Sequence, residues 1–587
     1  MKNYTWDLNQ LYNSIVEWET DYKEINNLTL QLVSKKDIFT KSSSELFDFL
    51  ETQEKLGIIL TKIYVYAKAA FDVDLKNQNN KKLFEKADEL NYRVQDQLSF
   101  VEPELLKISK EDYKTYLEEV KNLGKYNFMF EKLFKKRNHI LDSDTEQLLS
   151  SLDAISSFFE KAYDDLTVGD IEYPKIFDPS SGKEISANNT NYYLALLNSD
   201  RNFRKDFFNK LLGTYKKHSN TLTSLYFGSV KKNIIEAKKR NYNSALKMAL
   251  DNNFIHEEIY ENLVSTVREN CTTLQEYLEY RRRSLGYEDL HFYDLFVPLA
   301  KTINKKYTFE EAEDIILNAL KPLGDDYLKI IKKAFDERWM DVFPQDSKIS
   351  GAYAIGVYGV HPYSLLNFNG TLNDIFTIAH ELGHVMHSYY SNIEQEYVNS
   401  NYTIFCAEVA STVNEQLLYH YLLSTSDSEE EKKYLLNDHL DSLRSTFFRQ
   451  TLFAEFEKNA HELVENNQPL TESVLSDMYK SLYENYYGKD FVIDETLEYE
   501  WARIPHFYSA FYVYQYATGI SAAIAISDKI IKDKNYDIND YLNFLKSGDS
   551  DYSVELLKLA KVDMSSPEPI KATINNFKET LNKLKSI

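Results

Sequence analysis

Two histidines four residues apart, His380 and His384, are the residues of this chain whose type and spacing best suit metal chemistry. Residues 372–379 precede them without a proline or a glycine, so one helix can carry the whole segment. Residues four apart lie on one face of a helix, where two imidazoles can bind the same Zn²⁺ ion. Glu381 stands beside the first histidine and can reach a water held by that ion. The pattern therefore predicts the core of a zinc peptidase.

Zinc needs a third protein ligand and an open position for water. His387 is one candidate, because it lies one turn further along the same helix face. Glu408 is the other, and we favour it, because a carboxylate from a second, antiparallel helix closes a better tetrahedron than three ligands stacked on one helix. Glu408 also begins a polar stripe on an otherwise apolar helix, and an unpaired carboxylate on a buried face is costly. Glu415, in the same stripe, and His387 are then expected to orient the ligands through hydrogen bonds, with Asp374 a weaker candidate.

Composition indicates a large, helix-rich protein that avoids anionic partners. The chain has 587 residues, of which 43% are hydrophobic, but only 16 glycines and 11 prolines. This scarcity favours helices over a strand-rich fold, and the length suggests several subdomains. Lys and Arg number 68 against 91 Asp and Glu, so the net charge is −23. Such a field repels nucleic acid and anionic membranes, so we expect neither as a partner.

The cysteines and the absence of long apolar segments indicate a cytoplasmic location. Cys271 and Cys406 are the only two cysteines, too few for the disulfide framework of a secreted protein. Cys406 points away from Glu408 on a helix, so we expect a buried apolar side chain and not a ligand. Neither a signal peptide nor a membrane-spanning run is recognisable. We therefore expect a soluble, cytoplasmic protein.

Hydrophobic periodicity outlines the order of the elements. From about residue 46 to 159 apolar residues recur every three or four positions, which predicts successive antiparallel helices. The pattern fails at 165–189, where weak alternation over 167–173 and a turn signal at 177–182 predict a small hairpin. The resulting division is an N-terminal helical lobe (1–110), a helical segment with the small hairpin (111–190) and a catalytic domain (191–587).

Two short strands are expected directly before the histidine-bearing helix. Residues 350–362 contain three of the 16 glycines, and residues 363–368 form a second extended stretch. A strand edge beside a metal site can bind a peptide backbone by adding a strand. Gly351 and Tyr353 are therefore candidates for substrate binding. The alternative is a structural hairpin packed on the helical lobe.

The segment HELGHVMH at 380–387, followed by FCAEVAS at 405–411, resembles the thimet-oligopeptidase-like family of zinc metallopeptidases, and within it the oligoendopeptidase F group. The first motif alone occurs in many families, but its combination with further segments is far more specific. These segments span most of the chain and comprise Trp6-Asp7-Leu8, YDL at 293–295, SGAY at 350–353, NFNGT at 367–371 and the tyrosine-rich stretch 503–519.

The resemblance implies a mainly α, two-lobed protein with a deep central channel and a small β element next to the HExxH helix. It implies one Zn²⁺ ion held by His380, His384 and Glu408, and short peptides as substrates. A channel also explains a preference for short peptides, because a folded protein could not enter it without unfolding.

The resemblance further implies that His506 and nearby tyrosines bind substrate and the developing oxyanion. We rank Tyr514 first among these tyrosines, followed by Tyr508 and Tyr512. On one continuous helix Tyr512 and Tyr514 would diverge by about 200° and could not share a target, whereas a loop after Pro505 would relax this limit. A tyrosine-rich packing helix is the alternative.

The function expected from these features is zinc-dependent hydrolysis of internal bonds in short oligopeptides. Glu381 would take the water proton and deliver it to the leaving nitrogen, while His506 and Tyr514 would hold the oxyanion. One alternative is a zinc metallocarboxypeptidase of helical build, which peptides blocked at both ends would distinguish. The other is a non-catalytic helical peptide-binding protein, whose motif would lack a ligand or the base.

Overall fold

The structure, a computed structural model, describes residues 4–141, 145–146, 148–149, 157–301 and 305–587. Over these ranges the protein is mainly α-helical, and its strands have two to four residues each. The mainly α fold class is thereby confirmed. None of the helices in these ranges combines the length and the apolar composition that a membrane span requires.

The chain forms two compact units, each assembled from three segments. Unit 1 comprises Met1–Asn138, Asn304–Tyr421 and Ile526–Lys561, and unit 2 comprises His139–Ile303, Leu422–Ala525 and Val562–Ile587. This division differs from the consecutive ranges 1–110, 111–190 and 191–587 expected from the sequence. Periodicity identifies elements along the chain, but it does not show which distant segments pack together.

Unit 1 begins with a run of helices, of which the apolar periodicity predicts those from about residue 46 onwards but not the first, Ile15–Ser34. Ser14, Ser42 and Asn77 cap the first three by accepting hydrogen bonds from backbone N–H groups of the first turn. Part of the predicted helical stretch, at 142–144, 147 and 150–156, lies outside the described residues. The helices of this unit are Ile15–Ser34, Ser43–Asp72, Gln78–Gln97, Val101–Leu105, Lys110–Glu119, Asn127–Lys136, Phe309–Ala319, Asp325–Asp336, Leu372–Glu394, Ile404–Thr425 (which begins here), Ile538–Lys546 and Ser553–Leu559.

A small three-stranded sheet in unit 1 confirms the two strands predicted before the histidine-bearing helix. Tyr353–Ile355 pairs antiparallel with Tyr363–Leu365, and Met340–Asp341, which the sequence did not predict, pairs parallel with the other side of Tyr363–Leu365. Tyr363 and Leu365 are buried in the same core as the N-terminal helices. Tyr353–Ile355, named the edge strand from here on, is left at the margin of the sheet.

Unit 2 contains the predicted hairpin, but at a different place. Lys175–Asp178 pairs antiparallel with Lys183–Ser186, so residues 177–182 include the turn as expected. Residues 167–173 are not a strand: Asp165–Asp170 is π-helical and continues the helix Phe158–Asp164. Weak alternation over a few residues did not distinguish a strand from an irregular helix end.

The remaining elements of unit 2 are helical except for one short parallel pair, Leu290–His291 with Phe491–Val492. The helices after Phe158–Asp164 are Asn189–Leu196, Arg201–Lys217, Ser219–Lys239, Ala245–Asp251, Glu257–Glu269, Thr272–Ser284, Glu429–Leu443, Arg449–Glu465, Glu472–Tyr487, Tyr514–Lys532 (which begins here) and Glu568–Ser586.

Candidate metal centre

The HExxH helix, Leu372–Glu394, begins at a well-formed cap. The Asp374 N–H donates to Thr371 Oγ1 at 3.2 Å, and the Thr371 N–H donates to Asp374 Oδ2 at 2.8 Å. Asp374 Oδ2 also accepts the Asn369 N–H at 3.0 Å. The Asp374 carboxylate therefore fixes the start of the helix, and Asp374 itself lies six residues before His380 and ten before His384.

A glycine lets this helix lie directly against the helix Ile404–Thr425. A Cβ added at Gly383 would stand 2.4 Å from Ser411 Cα and 2.6 Å from the Ala410 carbonyl oxygen, so the position has no room for a side chain. The fully buried Asn414 side chain donates to the Ala379 carbonyl oxygen at 3.1 Å and ties the helices together one turn away. The helix that carries Glu408 thus approaches the HExxH helix closely at Gly383.

His380, His384 and Glu408 come together across this helix pair. His380 Nε2 lies 3.2 Å from His384 Nε2, and Glu408 Oε2 lies 3.4 Å from the first nitrogen and 3.7 Å from the second. A tetrahedral zinc ion with bonds of about 2.0–2.2 Å holds its ligands about 3.3–3.6 Å apart. Among the described residues no other group of three has this arrangement of donor atoms. The donor set therefore fits one zinc ion.

Glu415 is hydrogen-bonded to the first histidine, and its role in orienting that ring stays a prediction. Its Oε1 accepts from His380 Nδ1 at 2.5 Å, which leaves His380 Nε2 free to face Glu408. Burial lowers the pKa of His380, but the Glu415 hydrogen bond and the surrounding carboxylates outweigh burial and raise it to about 9. Burial and the charge of His380 lower the pKa of His384 to about 4.

Glu381 stands beside this cluster with a carboxyl group held away from water. Its residue is 7% exposed, and Oε2 is buried without a hydrogen-bond partner. Burial raises the pKa of Glu381 to about 7, with a further contribution from the charges of Glu408 and Glu415. A group half-ionised near neutral pH can both accept and release a proton, which is the property required of a general acid–base.

His387 is separated from the three donor atoms by its packing. It is 1% exposed, and its ring stacks on Tyr402 with centroids 3.7 Å apart and an angle of 4° between the planes. Burial lowers its pKa to about 3, so the ring is neutral. Its Nδ1 has no hydrogen-bond partner, and its role as an orienting residue stays a prediction. Ser411, which the sequence did not single out, donates to Glu408 Oε2 at 3.2 Å.

The edge strand lies along the HExxH helix. A Cβ added at Gly356, just after the strand, would stand 3.0 Å from Ser388 Cβ of that helix. Gly351, with φ of +87°, precedes the strand and contributes to a cavity of about 330 Å³ between residues 351–352, 366–368 and the first turns of the helix. Tyr353 is half-buried, and its hydroxyl donates to Asp72 Oδ2 at 2.7 Å.

The residues expected around His506 belong to unit 2 and do not form one helix. Pro505–Tyr508 is a 3₁₀ turn, a loop follows, and Tyr514 opens the helix Tyr514–Lys532. His506 is exposed, and its ring centroid lies 6.4 Å from Tyr512 and 6.1 Å from Tyr516. Tyr516, which the sequence analysis did not select, also contacts Tyr512 edge to face at 5.5 Å.

The other two tyrosines of this segment pack on aromatic neighbours in unit 2, Tyr514 in the interior and Tyr508 half-buried. Tyr514 is 2% exposed and packs against Tyr260 with centroids 5.2 Å apart. Tyr508 lies against Tyr163 at 4.8 Å. The structure thus groups His506 with Tyr512 and Tyr516. Spacing from His506 could not reveal this grouping, because the backbone between the residues is irregular.

A helical fold that places two histidines and a distant glutamate around one point, with a buried glutamate beside them, is typical of metal-dependent peptidases. The profile of peptidase family M3 matches residues 194–576, and a profile described as oligopeptidase F matches residues 104–173. The chain belongs to peptidase family M3, a family of metallopeptidases.

Relatives cover almost the whole chain. Oligopeptidase PepF of Bacillus subtilis is 38% identical over 99% of this chain and 87% of its own length. The crystal structure of oligoendopeptidase-F from Enterococcus faecium matches with a TM-score of 0.75 and 33% identity over 97% of this chain and 98% of its own. A crystal structure of a Chlamydophila abortus protein matches with a TM-score of 0.93 and 36% identity over 99% and 98%.

Proposed function

We propose that this protein is a zinc-dependent endopeptidase that hydrolyses internal bonds of short oligopeptides. The observation that carries the proposal is the triangle of His380, His384 and Glu408 donor atoms with the buried Glu381 beside it. The names of the relatives, oligopeptidase and oligoendopeptidase, support the substrate class and internal cleavage.

His380, His384 and Glu408 would hold the zinc ion. When bound, zinc supplies Lewis-acid chemistry, polarising the carbonyl to be cut and lowering the pKa of a water. Glu381 takes the proton of the attacking water and passes it to the leaving nitrogen. Its burial, which raises its pKa, makes it a stronger base than an exposed carboxylate.

His506 and a tyrosine are proposed to donate hydrogen bonds to the substrate carbonyl oxygen as it gains negative charge. The sequence ranks Tyr514 first for this role, but the interior position of Tyr514 makes Tyr512 the better candidate. Tyr512 is half-buried and lies beside His506. Tyr508 packs on Tyr163, so we expect it to stabilise this segment through that packing.

The edge strand is proposed to bind the peptide backbone. Its unpaired side offers backbone N–H and C=O groups to an extended peptide, and Gly351 leaves the approach open. The Tyr353 hydroxyl is already engaged by Asp72, so its contribution to binding would come from the ring.

Metal content and activity test the proposal together. The purified protein should contain one zinc ion per chain, lose activity on chelation and regain it with zinc. Glu408→Ala should lose the ion. Glu394→Ala removes a carboxylate from the exposed end of the HExxH helix and should keep the ion. A zinc-free wild-type protein with full peptidase activity would rule the proposal out.

Quenched fluorescent peptides blocked at both ends separate the endopeptidase from the carboxypeptidase alternative. We expect cleavage inside such peptides, because nothing in the proposed chemistry requires a free terminus. Cleavage restricted to peptides with a free carboxyl end would support the carboxypeptidase instead. No cleavage of any peptide by zinc-loaded protein would support a binding protein.

A further inference from the structure

One residue of the His506 segment has a strained backbone. Phe511, in the loop between Pro505–Tyr508 and the helix Tyr514–Lys532, has φ of +51°. A bulky residue other than glycine rarely adopts this left-handed conformation, which persists only when surrounding contacts hold it. The contacts made by the Phe511 backbone therefore show what shapes the loop.

The Phe511 N–H donates to Glu457 Oε1 at 2.6 Å. Glu457 belongs to the helix Arg449–Glu465 of the same unit and is 0% exposed. Its Oε2 is buried without a hydrogen-bond partner, and no ion pair to it is found among the described residues. Burial raises the pKa of Glu457 well above its usual range, against a smaller opposite effect of the Phe511 N–H. The buried Glu457 carboxyl group thus serves the loop as a hydrogen-bond acceptor.

Neighbouring side chains hold Glu457 and Phe511 in place, and Glu457, His461 and Tyr260 together are called the clamp. His461, one turn along the same helix, donates from Nδ1 to the Glu457 carbonyl oxygen at 2.8 Å and accepts at Nε2 from Asn233 at 3.2 Å. Its ring packs on the Phe511 ring with centroids 4.5 Å apart. Tyr260 contacts Phe511 edge to face from another helix. Both the backbone and the ring of Phe511 are therefore held by groups that are themselves fixed.

The turn at Phe511 separates the two tyrosines that follow. Tyr512 stays half-buried beside His506, whereas Tyr514 packs inward on Tyr260. We infer that Glu457 is a positioning residue: by accepting the Phe511 N–H it sets the loop so that Tyr512 lies beside His506. The kinetic consequence rests on the function proposed above, but the effect on the loop does not.

Three substitutions of Glu457 test the clamp. Glu457→Gln keeps a carbonyl acceptor of the same length and loses only the acid, so it should preserve the loop. Glu457→Leu removes the acceptor and leaves the Phe511 N–H buried without a partner, which is costly. Glu457→Asp shortens the side chain and should have an intermediate effect.

Hydrogen exchange of residues 505–516 in the substrate-free, zinc-loaded protein reports the loop directly. In Glu457→Leu the amides around Phe511 should exchange at least about tenfold faster than in the wild type, because the hydrogen bond that closes the loop is gone. In Glu457→Gln exchange should stay within about threefold of the wild type. In peptide assays Glu457→Leu should lose about tenfold or more in kcat with little change in KM, while Glu457→Gln retains kcat.

Glu455→Leu is the matched control. Glu455 is 3% exposed on the same helix, accepts from the Tyr486 hydroxyl at 2.8 Å and pairs with Arg268. Its loss should lower the melting temperature without changing exchange around Phe511 or kcat. A similar kcat loss in this control would mean that general destabilisation explains the effect and would overturn the inference.

Unchanged exchange around Phe511 in a folded Glu457→Leu protein would also overturn it, as would equal kcat for the Gln and Leu variants. If Glu457→Leu does not fold, exchange in Glu457→Asp compared with Glu457→Gln decides the question in the same way. A wild-type protein without zinc-dependent activity would refute the proposed function, while the exchange measurements would still decide the role of Glu457.

Discussion

The candidate metal centre in unit 1 and the His506 segment in unit 2 are built in different ways. His380, Glu381 and His384 occupy consecutive turns of one regular helix, and a single close approach at Gly383 brings Glu408 to them. The His506 segment combines a 3₁₀ turn, a loop with a strained residue and a helix start. Helical spacing fixes side-chain directions in the first region, whereas contacts with distant residues fix them in the second.

The largest effect is expected from Glu381→Gln. The amide cannot accept the proton, so kcat should fall by about 10²- to 10⁴-fold, while zinc content stays at one ion per chain. Steady-state kinetics and elemental analysis of the same preparation test this. Full turnover in a zinc-loaded Glu381→Gln protein would show that Glu381 is not the general base.

Tyrosine-to-phenylalanine substitutions identify which tyrosine of the irregular region acts together with His506. Tyr512→Phe should lose about 10²- to 10³-fold in kcat, the effect of removing one oxyanion donor. Tyr514→Phe should change kcat much less, because its hydroxyl lies inside unit 2. The reverse result would restore the ranking expected from the sequence. Tyr516→Phe tests whether the third ring of the group also contributes.

Glu415→Gln tests how strongly the orientation of His380 affects zinc affinity. Removing the negative charge that accepts the His380 Nδ1 hydrogen bond should weaken zinc binding by about 10- to 100-fold, as measured by competition with a chelating dye. Glu394→Gln makes the same change of charge at the exposed end of the HExxH helix and should bind zinc like the wild type. Equal affinities for the two variants would show that Glu415 does not orient His380.

Gly383→Ala tests the helix approach on which the metal centre depends. The added methyl group would meet Ser411 Cα, so the helices must move apart, at a cost of about 1–3 kcal/mol in unfolding free energy. Zinc affinity should fall as well. Gly213→Ala is the control, since no atom lies within 4 Å of the added Cβ on the helix Arg201–Lys217, and it should leave zinc affinity unchanged. Denaturant unfolding and zinc titration give both quantities.

Buried histidines of unit 2 predict a loss of stability in acid. Burial lowers the pKa of His439 and of His461 to about 4 each, whereas an unfolded histidine titrates near about 6.5. Below about pH 6.5 these histidines bind protons in the unfolded chain but not in the folded protein. The free energy of unfolding should therefore fall from about pH 6.5 towards pH 4, by up to about 1.4 kcal/mol per pH unit for each histidine. Urea unfolding of unit 2 residues at several pH values measures the slope. His439→Gln should reduce it and exposed His256→Gln should not.

From the sequence alone the helical class, the HExxH helix and the small strands before it could be predicted, and Glu381, Glu408 and Glu415 could be proposed as functional neighbours of the histidines. These follow from local periodicity and from the chemical requirement for a third ligand and an orienting acid. The tertiary structure was needed to show that the segments of the two units alternate along the chain, that Ser411 contacts Glu408 while Asn414 ties the two helices together, and that Tyr512 and Tyr516 lie beside His506. A buried carboxyl 54 positions before Phe511 in the chain shapes that last grouping, and no local pattern in the sequence records such a contact.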